Sequence, residues 1–407
     1  MAKNINISSI KKITVLGEGK TAKAVIKKLN ELALFELTND TTNTDLVIIS
    51  PGLDPKKYTL GITAPIISEI ELAYLLFQYY QNPPKLITIT GTNGKTTTTD
   101  LISQLLNIPS AGNIGVPLIE FVSNNPLKVP KTISLEASSY QLEMSPNFKP
   151  EIYILMNITE DHLERHGTMK EYARIKLKAL PLLTDKDYFI YNSKDPFIMS
   201  FLSKTKIKAQ LIDLQDRESV SQFLKESPLL GEHNQENLSA AINASLIINQ
   251  ESVTVDKIKN IKAYPHRLEK VRTINNIEFI NDSKATNPDS TIAALNSIPS
   301  EKIILLLGGD KKAVSYQTMF NLIKKKKVRS IAFGGARDFF YEELKDSNLL
   351  LGNTHNLEEA INLAYNKSNS GDIILLSPAC ASFDMYKNFE ERGNDFKQIV
   401  SAIPNNK

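Results

Sequence analysis

The stretch Lys85-Leu86-Ile87-Thr88-Ile89-Thr90-Gly91-Thr92-Asn93-Gly94-Lys95-Thr96-Thr97-Thr98-Thr99 decides how this chain is read. The β-branched run from Leu86 to Thr90 predicts a buried strand. A glycine-containing bend follows, and Thr97 to Leu106 predict a helix. Two glycines let successive backbone N–H groups face one point, and the helix N-terminus adds partial positive charge there, so the bend suits a phosphate chain. Gly91, Thr92, Asn93, Gly94 and Thr97 would line it. Lys95 would meet the outer phosphates, and the Thr96 hydroxyl would complete a Mg²⁺ shell. The longer form of this motif has a further glycine five positions before the second one; here that position is Ile89, so the loop is the short G-x-x-G-K-T form. An ordinary glycine turn after a strand is the alternative reading.

Working outward, the chain has 407 residues, room for about two to four domains. A hydrophobic content of 42% can build several cores. Charges nearly cancel at net +3, which argues against a nucleic-acid or membrane partner held mainly by charge. The run Lys324–Lys327 reads as a solvated helix end. One cysteine, Cys380, excludes an intramolecular disulfide framework and fits a reducing compartment. No stretch approaches the roughly 18 apolar residues of a membrane span, and Met1 to Lys12 lack a signal-peptide core. The expectation is a soluble, cytoplasmic protein.

Three segments appear. In the first, Ile13–Leu16 and Asp45–Ser50 predict strands, with a helix over Thr21–Leu32 and a breaker cluster at Gln81-Asn82-Pro83-Pro84. The second carries the phosphate loop, further strands at Thr132–Glu136, Ile152–Asn157 and Asp187–Tyr191, and helices at Met169–Leu180 and Gln235–Ile248. The third begins near Ala263-Tyr264-Pro265 and predicts strands at Lys302–Leu307, Ser330–Phe333 and Asp372–Ser377. Strands alternating with helices imply parallel sheets with crossover connections, so all three segments read as α/β.

Several constellations sit at strand ends, where open α/β sheets bind ligands. Gly17-Glu18-Gly19-Lys20-Thr21-Ala22 fits the dinucleotide pattern G-x-G-x-x-A, with Glu36 or Asp40 as an acid further on; a plain tight turn is the alternative. Glu136 ends the strand before Ala137-Ser138-Ser139-Tyr140, which makes it a metal ligand, a surface carboxylate or a helix cap. In Asn157-Ile158-Thr159-Glu160-Asp161-His162, the imidazole beside carboxylates can serve a divalent ion or be structural. Lys176, taken alone in an amphipathic helix, reads as a solvated lysine. Asn234 and Asn237 are three apart on one helix face. Polar loops follow at Pro265–Glu269, Asn281–Asn287, Leu307–Lys312 and Ser377–Asp384.

In this order, the motifs resemble the Mur ligases, the ATP-dependent amide-forming enzymes of bacterial cell-wall precursor synthesis. Asn281–Asn287, Gly308–Lys312 and Ser377–Phe389 are similar to the D-glutamate-adding branch of that family. The resemblance implies three consecutive α/β domains with mainly parallel sheets. A Rossmann-like domain at 1–82 would bind the UDP substrate, and a central P-loop-type domain at 83–263 would bind ATP. A Rossmann-like domain at 264–407 would contribute to ATP and amino-acid binding. It implies ATP as co-substrate and two Mg²⁺ ions, one on Thr96 and Glu136, a second on His162. Lys176 falls on the family's carbamylated lysine, a carboxylate-like metal ligand. Gly17, Gly19, Asn113 and Ser138 would contact the nucleotide-sugar. Asn234, Asn237, Arg267 and Asp282 would hold ATP, and Lys284 would lie near the phosphates or the growing anionic centre. Thr286, Lys312, Ser382 and Phe389 would frame D-glutamate. The implied partners are UDP-MurNAc-L-Ala and D-glutamate, with no nucleic acid, no membrane insertion and a monomeric state. The first glycine loop departs from the family: Glu18 and Lys20 stand where apolar residues are usual, and Ala22 replaces a glycine. Two other classes stay open on motifs alone: a P-loop switch or motor, and a nucleotide sensor built on the first glycine loop.

Overall fold

Alternating β-branched runs and amphipathic stretches fold here into helices packed on sheets. The computed structural model describes residues 5–58, 60–113, 115–229, 231–298 and 302–404. Among these the strands form three sheets. The first contains β1 (Lys12–Leu16), β2 (Glu36–Leu37), β3 (Leu46–Ile49) and β4 (Ile66–Ile67), in the order β2-β1-β3-β4 and parallel throughout.

The second sheet contains β5 (Lys85–Thr90), β6 (Ser110–Gly112), β7 (Thr132–Glu136), β8 (Ile152–Leu155), β9 (Tyr188–Tyr191) and β10 (Gln210–Asp213). Its order is β10-β9-β8-β5-β7-β6, again all parallel. From Leu86 to Thr90 every residue of β5 is buried, as expected for a central strand covered on both faces. From β5 the chain builds one side of the sheet through β6 and β7, then crosses to β8 on the other. That reversal makes the C-terminal end of β5 a switch point, and the phosphate loop sits there.

The third sheet contains β11 (Glu269–Ile274), β12 (Ile277–Asn281), β13 (Ile303–Gly308), β14 (Arg329–Phe333), β15 (Leu350–Thr354) and β16 (Ile373–Ala379), in the order β11-β12-β16-β13-β14-β15. The hairpin β11–β12 is antiparallel and the other pairs are parallel. Asn275 and Asn276 turn it at φ 50° and 62°, the left-handed region that a two-residue hairpin of this twist demands.

The chain divides into two compact units. One is Met1–Pro228 with Glu236–Ile261 and carries the first two sheets; the other is Leu229–Gln235 with Lys262–Lys407 and carries the third. In the first unit one apolar cluster runs from Ile13, Leu46 and Ile48 to Leu86, Ile133 and Leu135, so the first two sheets share a core. In the second unit, apolar clusters cover both faces of the third sheet.

Three boundaries differ from the sequence expectation, two of them for clear reasons. The helix expected from Thr97 starts at Lys95, because Gly94 takes the left-handed conformation (φ 86°) and ends the bend two residues sooner. The helix expected over Met169–Leu180 stops at Leu177, ahead of Pro181, which has no N–H to donate and disfavours helical backbone before it. The helix expected from Gln235 begins at Glu232. The run Lys324–Lys326 does close a helix, Gln317–Lys326. No described helix is long and apolar enough to cross a membrane.

Candidate active site

The phosphate loop is held both by its neighbours and by its own lysine. Gly94, at φ 86°, precedes the 12-residue helix Lys95–Leu106 and has no side chain of its own with which to cap it, so the positive end of that helix faces the bend. Asn157, just beyond β8, clamps the loop: its Oδ1 accepts from Asn93 N at 2.8 Å and its backbone carbonyl accepts from Thr92 N at 2.9 Å. The Thr92 hydroxyl donates to the Thr159 carbonyl at 3.1 Å. Lys95 folds back, its ammonium donating to the carbonyls of Gly91 at 2.9 Å and Thr92 at 2.8 Å. Neither glycine admits a side chain. A Cβ on Gly94 would meet Asn237 Oδ1 at 2.5 Å, and one on Gly91 would meet Met156 Cβ at 3.0 Å and Asn157 N at 3.2 Å.

Glu136 ends β7 beside this loop and is 1% exposed. Its Oε1 accepts from Asn113 Nδ2 at 2.8 Å, while Oε2, equally buried, has no partner among the described residues. A buried carboxylate oxygen left unpaired is costly, and a cation is the natural group to satisfy it. Ser138 caps the next helix, its hydroxyl accepting from Gln141 N in a capping box. Asn113 also donates its backbone N–H to the Glu136 carbonyl at 2.9 Å. Ile114, next to it, lies outside the described residues.

Lys176 corrects the expectation of a solvated lysine: it is 1% exposed. Its ammonium points under the phosphate loop, donating to the Gly91 carbonyl at 2.9 Å, and lies 4.7 Å from the centre of the Tyr172 ring. Burial, then the nearby Lys95 charge, push its pKa well below that of an ordinary lysine. His162 has a left-handed backbone (φ 54°) and its Nδ1 lies 2.9 Å from the Tyr140 hydroxyl. Burial lowers its pKa, which favours the neutral, ligating form.

The fit of a divalent cation follows from these atoms. Among the described residues no three of His, Cys, Asp and Glu gather at one point. A cation near Glu136 must therefore complete its shell with phosphate oxygens and water, which is the habit of Mg²⁺. The unpaired Glu136 oxygen and the buried Thr96 beside the loop suit that arrangement.

The second unit gathers its own strand-end loops. Asp282, after β12, is buried; its Oδ2 accepts from Ser377 Oγ at 2.8 Å and its Oδ1 from Leu268 N at 3.2 Å. Desolvation raises its pKa to about 7, against the pull of those donors and of Arg267. The Lys284 ammonium lies over the rings of Tyr264 (4.9 Å) and Phe389 (5.3 Å). Thr286 is half-buried two residues on. Lys312 is exposed after β13, its backbone N–H donating to Tyr316 OH at 3.2 Å. Ser382 is buried after β16, and Phe389 starts the helix Phe389–Ala402. Asn234 is buried near the start of the helix Glu232–Ile248, whereas Asn237, three residues on, is buried in the first unit, where its Oδ1 accepts from the Thr98 hydroxyl at 3.3 Å.

Profiles of known families now bear on this arrangement. The Mur ligase middle domain matches residues 89–245, and the Mur ligase, glutamate ligase domain matches residues 266–380. A UDP-N-acetylmuramoylalanine–D-glutamate ligase from Natranaerobius thermophilus is 37% identical over 404 residues, covering 88% of this chain and 84% of that protein. The chain belongs to the Mur ligase family. A D-glutamate ligase of the same name from Pelotomaculum thermopropionicum is 35% identical over 396 residues, covering 89% of this chain and 84% of the relative. In fold, the MurF ligase from Thermotoga maritima, solved in complex with ADP, superposes with a TM-score of 0.61 at 15% identity over 97% of each chain.

Within the Mur ligase middle-domain match lie Gly91 to Thr97, Asn113, Glu136, Ser138, His162, Lys176, Asn234 and Asn237. The glutamate-ligase match holds Arg267, Asp282, Lys284, Thr286 and Lys312, with Ser382 and Phe389 just beyond it. Gly17 and Gly19 precede both; Gly17 has φ 120° with Ser50 packed against it, and Gly19 faces open space at the start of the helix Lys20–Leu32.

Sequence reasoning passed over two residues that organise these loops. Asn157 was quoted in its motif without a role, although its place directly after a central strand was a signal. Arg392 left no such signal, since an arginine in the helix Phe389–Ala402 reads as solvated. It is fully buried and donates to Ser283 Oγ (3.0 Å) and to the carbonyls of Ser283 (2.8 Å), Ala381 (3.1 Å) and Cys380 (3.1 Å). It thereby ties the loop after β12 to the loop after β16. Burial lowers its pKa to about 10, still high enough to keep it charged.

Proposed function

We propose that this chain adds D-glutamate to UDP-N-acetylmuramoyl-L-alanine, driven by ATP, in peptidoglycan precursor synthesis. Two relatives of that name, at 37% and 35% identity and matched nearly end to end, support the substrates. The observation that carries the chemistry is the Gly-Lys-Thr loop at the end of β5 beside the unpaired, buried Glu136 oxygen and the buried Lys176 amine.

The substrate carboxylate attacks the γ-phosphorus of ATP, the bond to the β,γ-bridging oxygen breaks, and ADP leaves. The acyl phosphate so formed is attacked at its carbonyl carbon by the D-glutamate amine. The C–O bond to phosphate breaks, the amine loses a proton, and inorganic phosphate departs. Little covalent work falls to the protein in such a transfer; positioning and charge stabilisation dominate. Lys95 and the N–H groups of the helix Lys95–Leu106 neutralise the transferring group. Thr96 and Glu136 would hold one Mg²⁺ and His162 with Lys176 a second, and the ions would supply further positive charge to the phosphate oxygens. The depressed pKa of Lys176 leaves a share of neutral amine able to add CO₂ and release a proton, which turns a cation into an anionic ligand. Asn234, Asn237, Arg267 and Asp282 hold the nucleotide, with Lys284 near the phosphates. Thr286, Lys312, Ser382 and Phe389 frame D-glutamate. Gly17, Gly19, Asn113 and Ser138 receive the nucleotide-sugar. The enzyme acts in the cytoplasm as a monomer.

Phosphate release from ATP with UDP-MurNAc-L-Ala, assayed with D-Glu, L-Glu, L-Lys or L-Ala as acceptor, tests this reading. Release only with D-Glu is expected. Equal release with no amino acid, or with no nucleotide-sugar acid, would make the chain a simple ATPase.

A further inference from the structure

Arg165 occupies a junction that the chemistry above leaves unused. It lies three residues past His162 in the short helix Leu163–His166, and its side chain is 9% exposed. One edge of the guanidinium donates to Glu143 Oε2, from Nε at 3.1 Å and from Nη2 at 3.0 Å. The other edge donates from Nη1 to the Leu53 carbonyl at 2.9 Å and lies 3.7 Å from Asp54 Oδ1. The plane sits 5.3 Å from the centre of the Tyr140 ring, whose hydroxyl is the partner of His162 Nδ1. The Ser50–Leu53 turn is closed by Leu53 N donating to the Ser50 carbonyl at 3.0 Å, and Ser50 packs directly on Gly17. One cation thus links the loops at the end of the first sheet to Tyr140 and His162 at the end of the second. A cavity of about 230 Å³, lined by Pro51, Gly52, Asp54, Tyr140, Glu164 and Arg165, opens at this junction.

We propose that Arg165 is a positioning residue of the ligase reaction: it sets the Ser50–Asp54 turn, and with it the Gly17–Gly19 loop, at a fixed separation from His162 and Glu136. The inference rests on the ligase reading above. The nucleotide-sugar would be held at one end by the first-sheet loops and must present its carboxylate at the other. An error of about 1 Å in that span is enough to lower the rate a hundredfold. Only a fork with several donors reaches Glu143 and the Leu53 carbonyl together, so lysine is no substitute.

The test compares wild type with Arg165→Met, Arg165→Lys and Glu143→Gln. The kcat/KM for UDP-MurNAc-L-Ala should fall about a hundredfold in both arginine variants, and less in Glu143→Gln. The Kd of MgATP, read by calorimetry without turnover, should stay within about twofold. A merely structural role predicts otherwise: an unchanged nucleotide-sugar kcat/KM in folded protein, ATP affinity falling in step with it, or full rescue by lysine would each overturn the proposal. Should both arginine variants fail to fold, Glu143→Gln decides, since its kcat/KM must fall while MgATP binding holds. A wild type without D-Glu-dependent phosphate release would sink the ligase reading first, and this inference with it.

Discussion

Lys176 is an amine held out of water beneath the bend that would carry the phosphates, with Lys95 nearby. Loss of water, and then the charge of the part-buried Lys95, both disfavour the protonated form of Lys176. In the carbamylated form proposed above, Lys176 would supply an anion in place of a cation. Lys176→Ala is therefore expected to abolish D-glutamate-dependent phosphate release, and added short carboxylic acids should restore part of it by supplying the missing anion. No recovery with any such acid would argue that the amine itself is needed. Lys95→Ala should lower kcat by about 10²–10³-fold or more, the cost of removing one preorganised donor, and no acid should rescue it. The burial of Lys176 was not legible in Tyr-Ala-Arg-Ile-Lys-Leu, because helical spacing shows which residues share a face and not what covers that face. Arg392 and Arg165 escaped for the same reason: their partners are backbone carbonyls and acids far away in sequence.

Among the elements, the helix Glu69–Phe77 carries two buried acids in its first turn. Glu69 Oε1 accepts from Ile119 N at 2.6 Å, and Glu71 Oε1 accepts from Asn147 N at 2.9 Å. Desolvation raises both from 4.5 to about 7. The folded chain then keeps these protons up to about pH 7, whereas the unfolded chain releases them above about pH 4.5. Their stabilising contribution is complete below pH 4.5 and is lost as pH rises toward 7. Glu71→Gln removes one such group while keeping an acceptor for Asn147. Relative to the variant, wild type should lose about 3 kcal/mol between these limits, from the shift to about 7 at 1.36 kcal/mol per pH unit. Thermal unfolding of both proteins at pH 5 and pH 7 measures it, and parallel pH profiles would rule it out. Elements differed in how clearly the sequence announced them. Thr132–Glu136 emerged with its predicted bounds, since a run buried on both faces has a pattern of its own. The edge strand Glu269–Ile274, half exposed and charged, escaped notice because its alternation of Glu, Lys and Arg with Val and Ile resembles a polar loop.

For the whole molecule, the balance of 48 basic and 45 acidic residues leaves a net charge of +3. Such a protein has little long-range field with which to draw in an anionic substrate, so capture depends on the local groups at the strand ends. The kcat/KM for the nucleotide-sugar should accordingly change by less than about threefold between 50 and 200 mM salt, since only strongly steered association falls steeply over that range. A tenfold drop would reveal a concentrated patch of charge that the totals conceal. The repeated α/β pattern was plain from the sequence at this scale, because each strand–loop–helix unit states its own period. Which loops converge was not, because convergence depends on strand order, and nothing local to β5 reveals that β8 and β7 flank it.

Gly91 and Gly94 carry one more implication. Each adopts a backbone that side chains rarely tolerate, and each already abuts Met156 and Asn157 or Asn237. A compound that recognised only the contour of this bend would leave few viable escape mutations, since almost any replacement that weakened the compound would also spoil the grip on the nucleotide.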